Sequence, residues 1–502
     1  MIINSVIFIK NYLKKIILNF ILIYFSFKSF FIDFKKEKEL RENILIEFST
    51  SIPLILVFNI ILSRILSKKY KIFFFYFNKS KLSFGISNFF LKFFDIKNYK
   101  FLNLDFYEKS VLNKNNKFLN SKDQLLNLKY KNCNIGKYIY QSYCRLKLAR
   151  TVNLKDPYLY DLILESKKLF DYCDEIFLKY NFKYLITTHT VFIKYGILAF
   201  ITNKYKKKIK IIYPRNNYDS IRILEIDKYL LQIDDYYNYK KYFNNIKDKS
   251  LSLKKSENEL KNRFNKNISH FKLTDVKSYS KDYIVKINSQ RPKIVLLPSC
   301  FLDAHRFFRY SLFHDSYSWI NFTLKEASKT NFDWFLKPHP TAHPMNNNIY
   351  NDLKKKYPWV TFLSPQTSNL TFCKYKFAAM FTYHSSALHE FIYLGIPSFV
   401  MSDNLSVAYN FGKPVKNLEK YKYLIKNADK LVLKDYKKDI LKFNYLFTFD
   451  KSPLVKYYKL FKEKKIESNQ LFSLKKSINL MRRVNNSYFI KRLEKFSSDN
   501  FI

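Results

Sequence analysis

The chain has 502 residues, with 89 Lys and Arg against 41 Asp and Glu, for a formal net charge of +48. At 47% hydrophobic and 19% aromatic it carries enough apolar material for large cores, so global disorder is excluded, and its length asks for two or three domains. The basic excess is mostly lysine spread over the whole chain, alongside abundant Ile, Asn, Phe and Tyr and only 5 Gly. It therefore reads as a compositional bias and not as a nucleic-acid-binding stripe.

A basic surface still favours anionic partners: nucleotides, phosphorylated glycans or a membrane face. The five cysteines, Cys133, Cys144, Cys173, Cys300 and Cys373, form no C-x-x-C pair. Their odd count and scatter read as reduced thiols in a cytosol, with no zinc site or disulfide framework.

Residues 1–40 are apolar but interrupted by lysines, and the longest charge-free run, Ile16 to Phe27, has twelve residues. A spanning helix needs about 20. The segment reads either as a basic amphipathic stretch on a membrane surface or as a helix packed on the protein body.

Asn43 to Phe48 predicts a buried strand, Ile52 to Leu66 a helix entered through Pro53, and Tyr70 to Tyr76 a second strand. That is a βαβ unit. Residues 79–180 hold mostly helical patterns with polar insertions. Tyr184 to Thr188, Val191 to Tyr205 and Lys210 to Tyr213 make a second strand–helix–strand unit. Residues 245–285, rich in Lys, Asn and Ser, read as a helical connector.

A new alternation begins at Lys293 to Pro298. Strands are expected at Trp334 to Lys337, Val360 to Leu363, Lys376 to Phe381 and Ser398 to Met401. Helices are expected near Tyr317 to Lys329, Asn348 to Tyr357 and Ser386 to Leu394. The expected class is α/β, with two Rossmann-like doubly wound domains facing a central cleft and helical N- and C-terminal extensions. The expected segments are an N-terminal piece (1–40), a first domain (41–245), a connector (246–290), a second domain (291–440) and a helical tail (441–502).

Ligands of such domains bind at the carboxyl ends of the strands, so the chemistry is sought there. In FDWFLKPHPTAHP (332–344), an apolar strand runs into Lys337 and His339. Pro338 and Pro340 keep the exit loop from winding into a helix, so both side chains are expected at the cleft. In TYHSSALHEFIYLGIP (382–397), Ser385 is placed to cap a helix closed by Gly395 and Pro397. Ser385 and Ser386 would then offer an anion site at its amino end, and Glu390 a carboxylate for a ribose. The competing reading makes the serines plain caps and Glu390 a solvated charge.

Asp303, His305 and Arg306 follow another strand and suit acid–base or anion chemistry, or else an ordinary polar loop. His189 in Thr188–His189–Thr190 is placed on the first domain's side of the cleft, with Arg215 and Arg222 as binders of an anionic acceptor. No metal site is expected: prolines break the His339-x-x-x-His343 spacing, His384 and His389 do not share a helix face, and H-E-x-x-H is absent.

Together, KPHP followed by HSS-x-x-x-E-x-x-x-x-G-I-P resembles bacterial capsule and surface-polysaccharide glycosyltransferases of the GT-B fold. Related motifs occur in polysialyltransferases, capsular Kdo transferases and CDP-glycerol glycerophosphotransferases. The resemblance covers about residues 290–425. It extends to Phe301 to His305, to Phe313, Asp315 and Trp319, and to the stretch from Asp403 to Tyr409.

The resemblance implies a nucleotide-sugar donor, no bound cofactor or metal, and a glycan or glycolipid acceptor. His339 and Pro340, with Ser385 and Ser386, would hold the donor phosphates. The acidic catalytic triplet of the polysialyltransferases is absent, which leaves Asp303, His305 and His189 as candidate bases. A cytoplasmic location, peripheral to the inner membrane face, would suit this work. The alternatives are a glycerophosphotransferase-type polymerase, a nucleotide-sugar 2-epimerase and a non-catalytic capsule assembly or export partner.

Overall fold

A computed structural model describes residues 42–48, 53–67, 69–76, 99–103, 119–215, 220–226, 234–265, 289–302, 309–339, 345–449 and 454–456. Expectations for residues 1–40 and for 457–502 lie outside them.

In chain order the first unit runs β1 (Asn43–Glu47), α1 (Pro53–Leu66), β2 (Lys71–Tyr76), β3 (Tyr99–Asn103), α2 (Lys122–Leu126), a short hairpin β4 (Lys129–Tyr130) and β5 (Cys133–Asn134), then α3 (Gly136–Leu146), α4 (Pro157–Tyr180), β6 (Phe182–Thr187), α5 (Phe192–Lys204), β7 (Lys208–Arg215) and β8 (Ser220–Glu225). With a later strand β14 (Leu454–Lys456) added at the edge, its sheet has the order β14-β8-β7-β6-β1-β2-β3. The strands from β3 through β1 to β7 are parallel, while β8 pairs antiparallel to β7.

Next come α6 (Asp234–Tyr237), α7 (Tyr239–Asn244) and α8 (Lys249–Phe264). The second unit continues β9 (Lys293–Leu297), α9 (Ser316–Ala327), β10 (Asp333–Leu336), α10 (Met345–Lys356), β11 (Thr361–Phe362), α11 (Asn369–Lys374), β12 (Ala379–Thr382), α12 (Leu388–Tyr393), β13 (Ser398–Val400), α13 (Leu418–Lys426) and α14 (Lys437–Phe449). Its five strands, ordered β11-β10-β9-β12-β13, are all parallel. In both sheets the first strand is central, the next two lie to one side and the later ones to the other. That is the doubly wound arrangement, with order reversals between β1 and β6 and between β9 and β12.

Alternate residues of the second sheet face two separate cores. Val295, Leu297, Phe335 and Met380 pack on one side; Ile294, Leu296, Trp334, Leu336 and Phe381 pack on the other. A parallel sheet covered on both faces needs such continuous apolar strands. Tyr236, Tyr239, Phe243 and Leu260, from the segment around the expected connector, pack in the same cluster as Val295. Beyond α14 the chain crosses back, and β14 (Leu454–Lys456) joins the first sheet antiparallel to β8. The tail expected to be helical thus includes a strand, because the free edge of β8 offers unpaired backbone groups to it. Among the described residues no helix is long and apolar enough to cross a membrane.

The two units touch through a polar contact. Asp315, the N-cap of α9, accepts hydrogen bonds from Ser318 N–H, from Thr151 Oγ1 at 2.6 Å and from Tyr140 OH of α3. Arg150 pairs with Asp352 at 2.8 Å and lies over the Tyr317 ring, and His314 meets Asp123 at 2.9 Å. The start of α9 follows β9, and residues 149–156 precede α4, which runs back to feed β6. Both partners therefore lie on the carboxyl-end side of their sheets.

Candidate functional site

The second sheet's reversal point lies at the ends of β9 and β12. Thr382 Oγ1 donates to the Leu297 carbonyl at 2.6 Å and ties these two ends together. Just beyond, Ser299 is buried and its hydroxyl has no hydrogen-bond partner among the described residues. The amide of Asn346, in the first turn of α10, reaches Cys300 Sγ at 3.6 Å, and its own oxygen is buried without a partner. Unsatisfied buried polar groups are costly, and these two sit where the fold binds ligands.

His339 is half-buried where the chain leaves β10. Lys337 departs from expectation. It is 4% exposed, and its ammonium does not emerge at the cleft: Nζ donates to Asn369 Oδ1 of α11 at 2.6 Å and lies beside the Phe372 ring. Burial pushes the Lys337 pKa down to about 7, partly offset by the Glu390 carboxylate. The residue sits at the last buried register of an apolar strand, so a long side chain there is folded inward.

Asn369 passes the contact on, donating to Glu390 Oε2 at 3.2 Å, while Arg263 Nη1 of α8 grips Glu390 Oε1 at 2.7 Å. Arg263 also holds Glu259 at 2.7 Å, and Asn444 of α14 donates to Glu259 Oε2 at 2.9 Å. Glu390 is 5% exposed and is not the solvated charge of the competing reading. Its two oxygens are engaged inside the protein.

After β12, His384 and Ser385 are half-buried and Ser386 is exposed. The helix begins later than its sequence predicts, at Leu388, with Ala387 as an N-cap that makes no side-chain bond. Ser385 is therefore not the cap; its hydroxyl accepts from Ala387 N–H at 3.1 Å in the preceding turn. A fully buried His389 explains the delay: its ring bonds the Ser386 backbone and packs on Phe443, and so pins the turn from beneath. Gly395 ends the helix at φ 88°, as its sequence position predicts, a conformation that a side chain would strain.

On the first unit the reversal lies between β1 and β6. His189 is half-buried directly after β6, and its Nδ1 is 2.9 Å from Thr188 Oγ1. Thr188 donates to Glu47 Oε2 at 3.2 Å. Burial, with Arg145 nearby, pushes the His189 pKa down to about 4, so the ring is neutral at physiological pH. Sequence reasoning passed over Glu47. The signal was there, a single carboxylate directly after the apolar run Ile44–Leu45–Ile46 of β1.

The sequence-predicted residues are thus distributed over both reversal points. His189 is on the first; Lys337, His339, Ser385, Ser386 and Glu390 surround the second. Arg215 closes β7, and Arg222 pairs with Tyr213 in the β7–β8 hairpin and with Leu454 of β14. Asp303, His305 and Pro340 lie outside the described residues. No group of three His, Cys, Asp or Glu side chains gathers at metal-binding distance among the described residues.

No family model matches the chain, and no curated protein does. Three solved structures illustrate the similarities found. The Thermosulfurimonas dismutans KpsC beta Kdo 2,4 transferase is 10% identical, covers 52% of this chain and 79% of its own, and has a TM-score of 0.34. The Neisseria meningitidis UDP-GlcNAc 2-epimerase bound to UDP-GlcNAc is 13% identical over 80% of this chain and 98% of its own, at 0.24. A glycosyltransferase from Rickettsia africae is 11% identical over 91% of this chain and 99% of its own, at 0.21. At these scores the likenesses add nothing to the two strand orders, which by themselves carry the statement of fold.

Proposed function

We propose that the protein is a glycosyltransferase that moves a sugar from a nucleotide-sugar donor to a growing surface polysaccharide or lipid-linked acceptor, without a bound metal. The observation that carries this reading is the pairing of two doubly wound sheets through their carboxyl-end sides. His339 and the Ser385–Ser386 turn, groups suited to hold phosphate, lie near one reversal point, and a neutral imidazole sits at the other.

The donor's phosphates would lie against His339 and the Ser385–Ser386 turn, with Pro340 shaping the loop and Lys337 contributing positive charge from beneath. Breaking the glycosidic bond loads negative charge onto the leaving phosphate, and fixed donors stabilise it without reorganisation. Glu390, buried and held on both oxygens by Arg263 and Asn369, would support the Ser385–Ser386 turn from beneath and not bind the ribose itself. Arg215 and Arg222 would draw an anionic acceptor to the first unit. His189 would take the acceptor proton from the first unit, its ring neutral and linked through Thr188 to Glu47, with Asp303 and His305 as the other candidate bases.

A thermal-shift screen against CMP, CDP, UMP, UDP, GDP and their sugar conjugates, with and without chelator, tests the donor site. A ligand bound only by the native state raises its melting point by mass action. A shift with one nucleotide that survives chelator, and that His339→Ala abolishes, is the expected result. A shift that requires divalent metal, or none with any nucleotide, would overturn it.

A further inference from the structure

Glu47 is completely buried at the end of the central strand of the first sheet, and Thr188, across the order reversal, is 2% exposed. The hydrogen bonds between them and His189 take a single direction when the Glu47 carboxylate is ionised. An ionised carboxylate only accepts, and a threonine hydroxyl has one proton to give. Thr188 gives that proton to Glu47 Oε2 at 3.2 Å. Its oxygen can then only accept from the imidazole 2.9 Å away, so Nδ1 of His189 must carry the ring proton. The lone pair is left on Nε2. Which nitrogen of a neutral histidine is basic is set by the bond its other nitrogen makes.

We propose that Glu47 and Thr188 are positioning residues that fix His189 in the Nδ1–H tautomer, making Nε2 the nitrogen that takes the proton from the acceptor hydroxyl. The inference rests on the transferase reading above. In the step, the acceptor oxygen bonds to the anomeric carbon as that carbon's bond to the donor phosphate breaks. The phosphate leaves with the electron pair, and the acceptor's proton moves to Nε2. The resulting imidazolium keeps its Nδ1–H on Thr188, whose hydroxyl remains on Glu47, so the new positive charge faces a buried carboxylate two hydrogen bonds away. The proton later passes to water.

Burial, followed by Arg145 from α3, disfavours protonation of the ring; Glu47 from β1 connects to it only through Thr188, and the Tyr195 ring of α5 lies 5.3 Å away. The arrangement parallels the orientation of a histidine by a buried carboxylate in hydrolytic triads, with a hydroxyl interposed.

Two readouts separate this inference from the transferase reading. In full-length protein labelled with 15N-histidine, one of eight histidines is assigned to position 189 by its loss in His189→Gln. At pH 7 that ring should show a protonated Nδ1 and a bare Nε2. In Glu47→Gln the side-chain amide can donate to Thr188, which turns the threonine proton toward Nδ1 and moves the ring toward the Nε2–H form. Thr188→Val should also lose the fixed tautomer, and Thr188→Ser should keep it.

In transfer assays with the donor identified by thermal shift, Glu47→Gln and Thr188→Val should lower kcat by at least about 10-fold, a part of the roughly 10²–10⁴-fold that a general base contributes. KM should stay within about two-fold, and Thr188→Ser should restore the rate. A wild-type ring in the Nε2–H form, or one unmoved by both variants, overturns the relay. The expected tautomer in a protein that transfers sugar from no donor overturns the base role and the transferase reading together, while the hydrogen-bond chain stands.

Discussion

His389 shows how a single residue couples burial to pH. Its ring is fully buried against Phe443 and Phe447, and its Nε2 has no hydrogen-bond partner among the described residues. Burial pushes its pKa down to about 4, partly offset by Glu390, and burial pushes the His189 pKa down to the same value. Between about pH 6.5 and 4 the unfolded chain therefore binds protons that the folded chain refuses. Stability is full above the unfolded pKa and falls as the pH drops through that window, by up to about 1.4 kcal/mol per pH unit for each ring. His389→Leu should flatten part of that slope when urea midpoints are measured from pH 7.5 to 4.5. Equal slopes in variant and parent would show that the ring titrates normally. Lys337 acts with the same sign in a higher window: with its folded pKa at about 7, its contribution improves as pH rises from there toward the ordinary lysine value.

At the scale of elements, the periodicity of the sequence placed β9, β10 and β12 to within a few residues, because a parallel strand buried on both faces must be continuously apolar. It did not resolve α11, six residues long, or the β7–β8 hairpin, whose pairing depends on an edge supplied elsewhere. Nor did it show how α3 meets α5. A Cβ on Gly196 would fall 2.2 Å from the Tyr138 ring, so that glycine exists for a neighbour more than fifty positions away. The network of Arg263, Glu390 and Glu259 is of the same kind. Arg263 is 3% exposed and bridges α8 to α12. Arg263→Met should cost about 3–5 kcal/mol in urea unfolding, because it strands buried carboxylates. Adding Glu390→Leu should recover part of that loss. A cost under 1 kcal/mol would mean that water reaches the carboxylates.

At the scale of the molecule, Asp315 is the hub between the two units. Burial works against its charge; Lys122 at 3.8 Å, with hydrogen bonds from Thr151, Tyr140 and Ser318 N–H, outweighs it and holds the carboxyl below its ordinary pKa. Its stabilisation is therefore present at neutral pH and lost as the medium turns acidic through the depressed value. Asp315→Ala removes the acceptor from three donors at once, of which the Ser318 N–H is only a helix cap. The radius of gyration in small-angle scattering should rise, and thermal unfolding should split into two transitions as the units uncouple. Tyr140→Phe, which leaves the cap intact, should do the same more weakly. A variant that stays as compact and cooperative as its parent would place the coupling in the remaining contacts or in the crossover from α14 to β14.

The sequence by itself determined the local things: which segments are strands and helices, that there are two α/β units, and that KPHP and HSS follow strands at a sheet's carboxyl end. Short-range patterning suffices for these, because period-2 and period-3.6 burial, prolines and glycines act within a few residues of one another. Only the tertiary structure decided where the polar side chains point. Lys337 turns inward because α11 offers it an amide, Ser385 forms a turn because His389 anchors the backbone beneath it, and Glu47 reaches Thr188, 141 positions along the sequence, only because β1 and β6 pair. The strength of a buried hydrogen bond and the cost of a buried charge depend on partners that no local window contains.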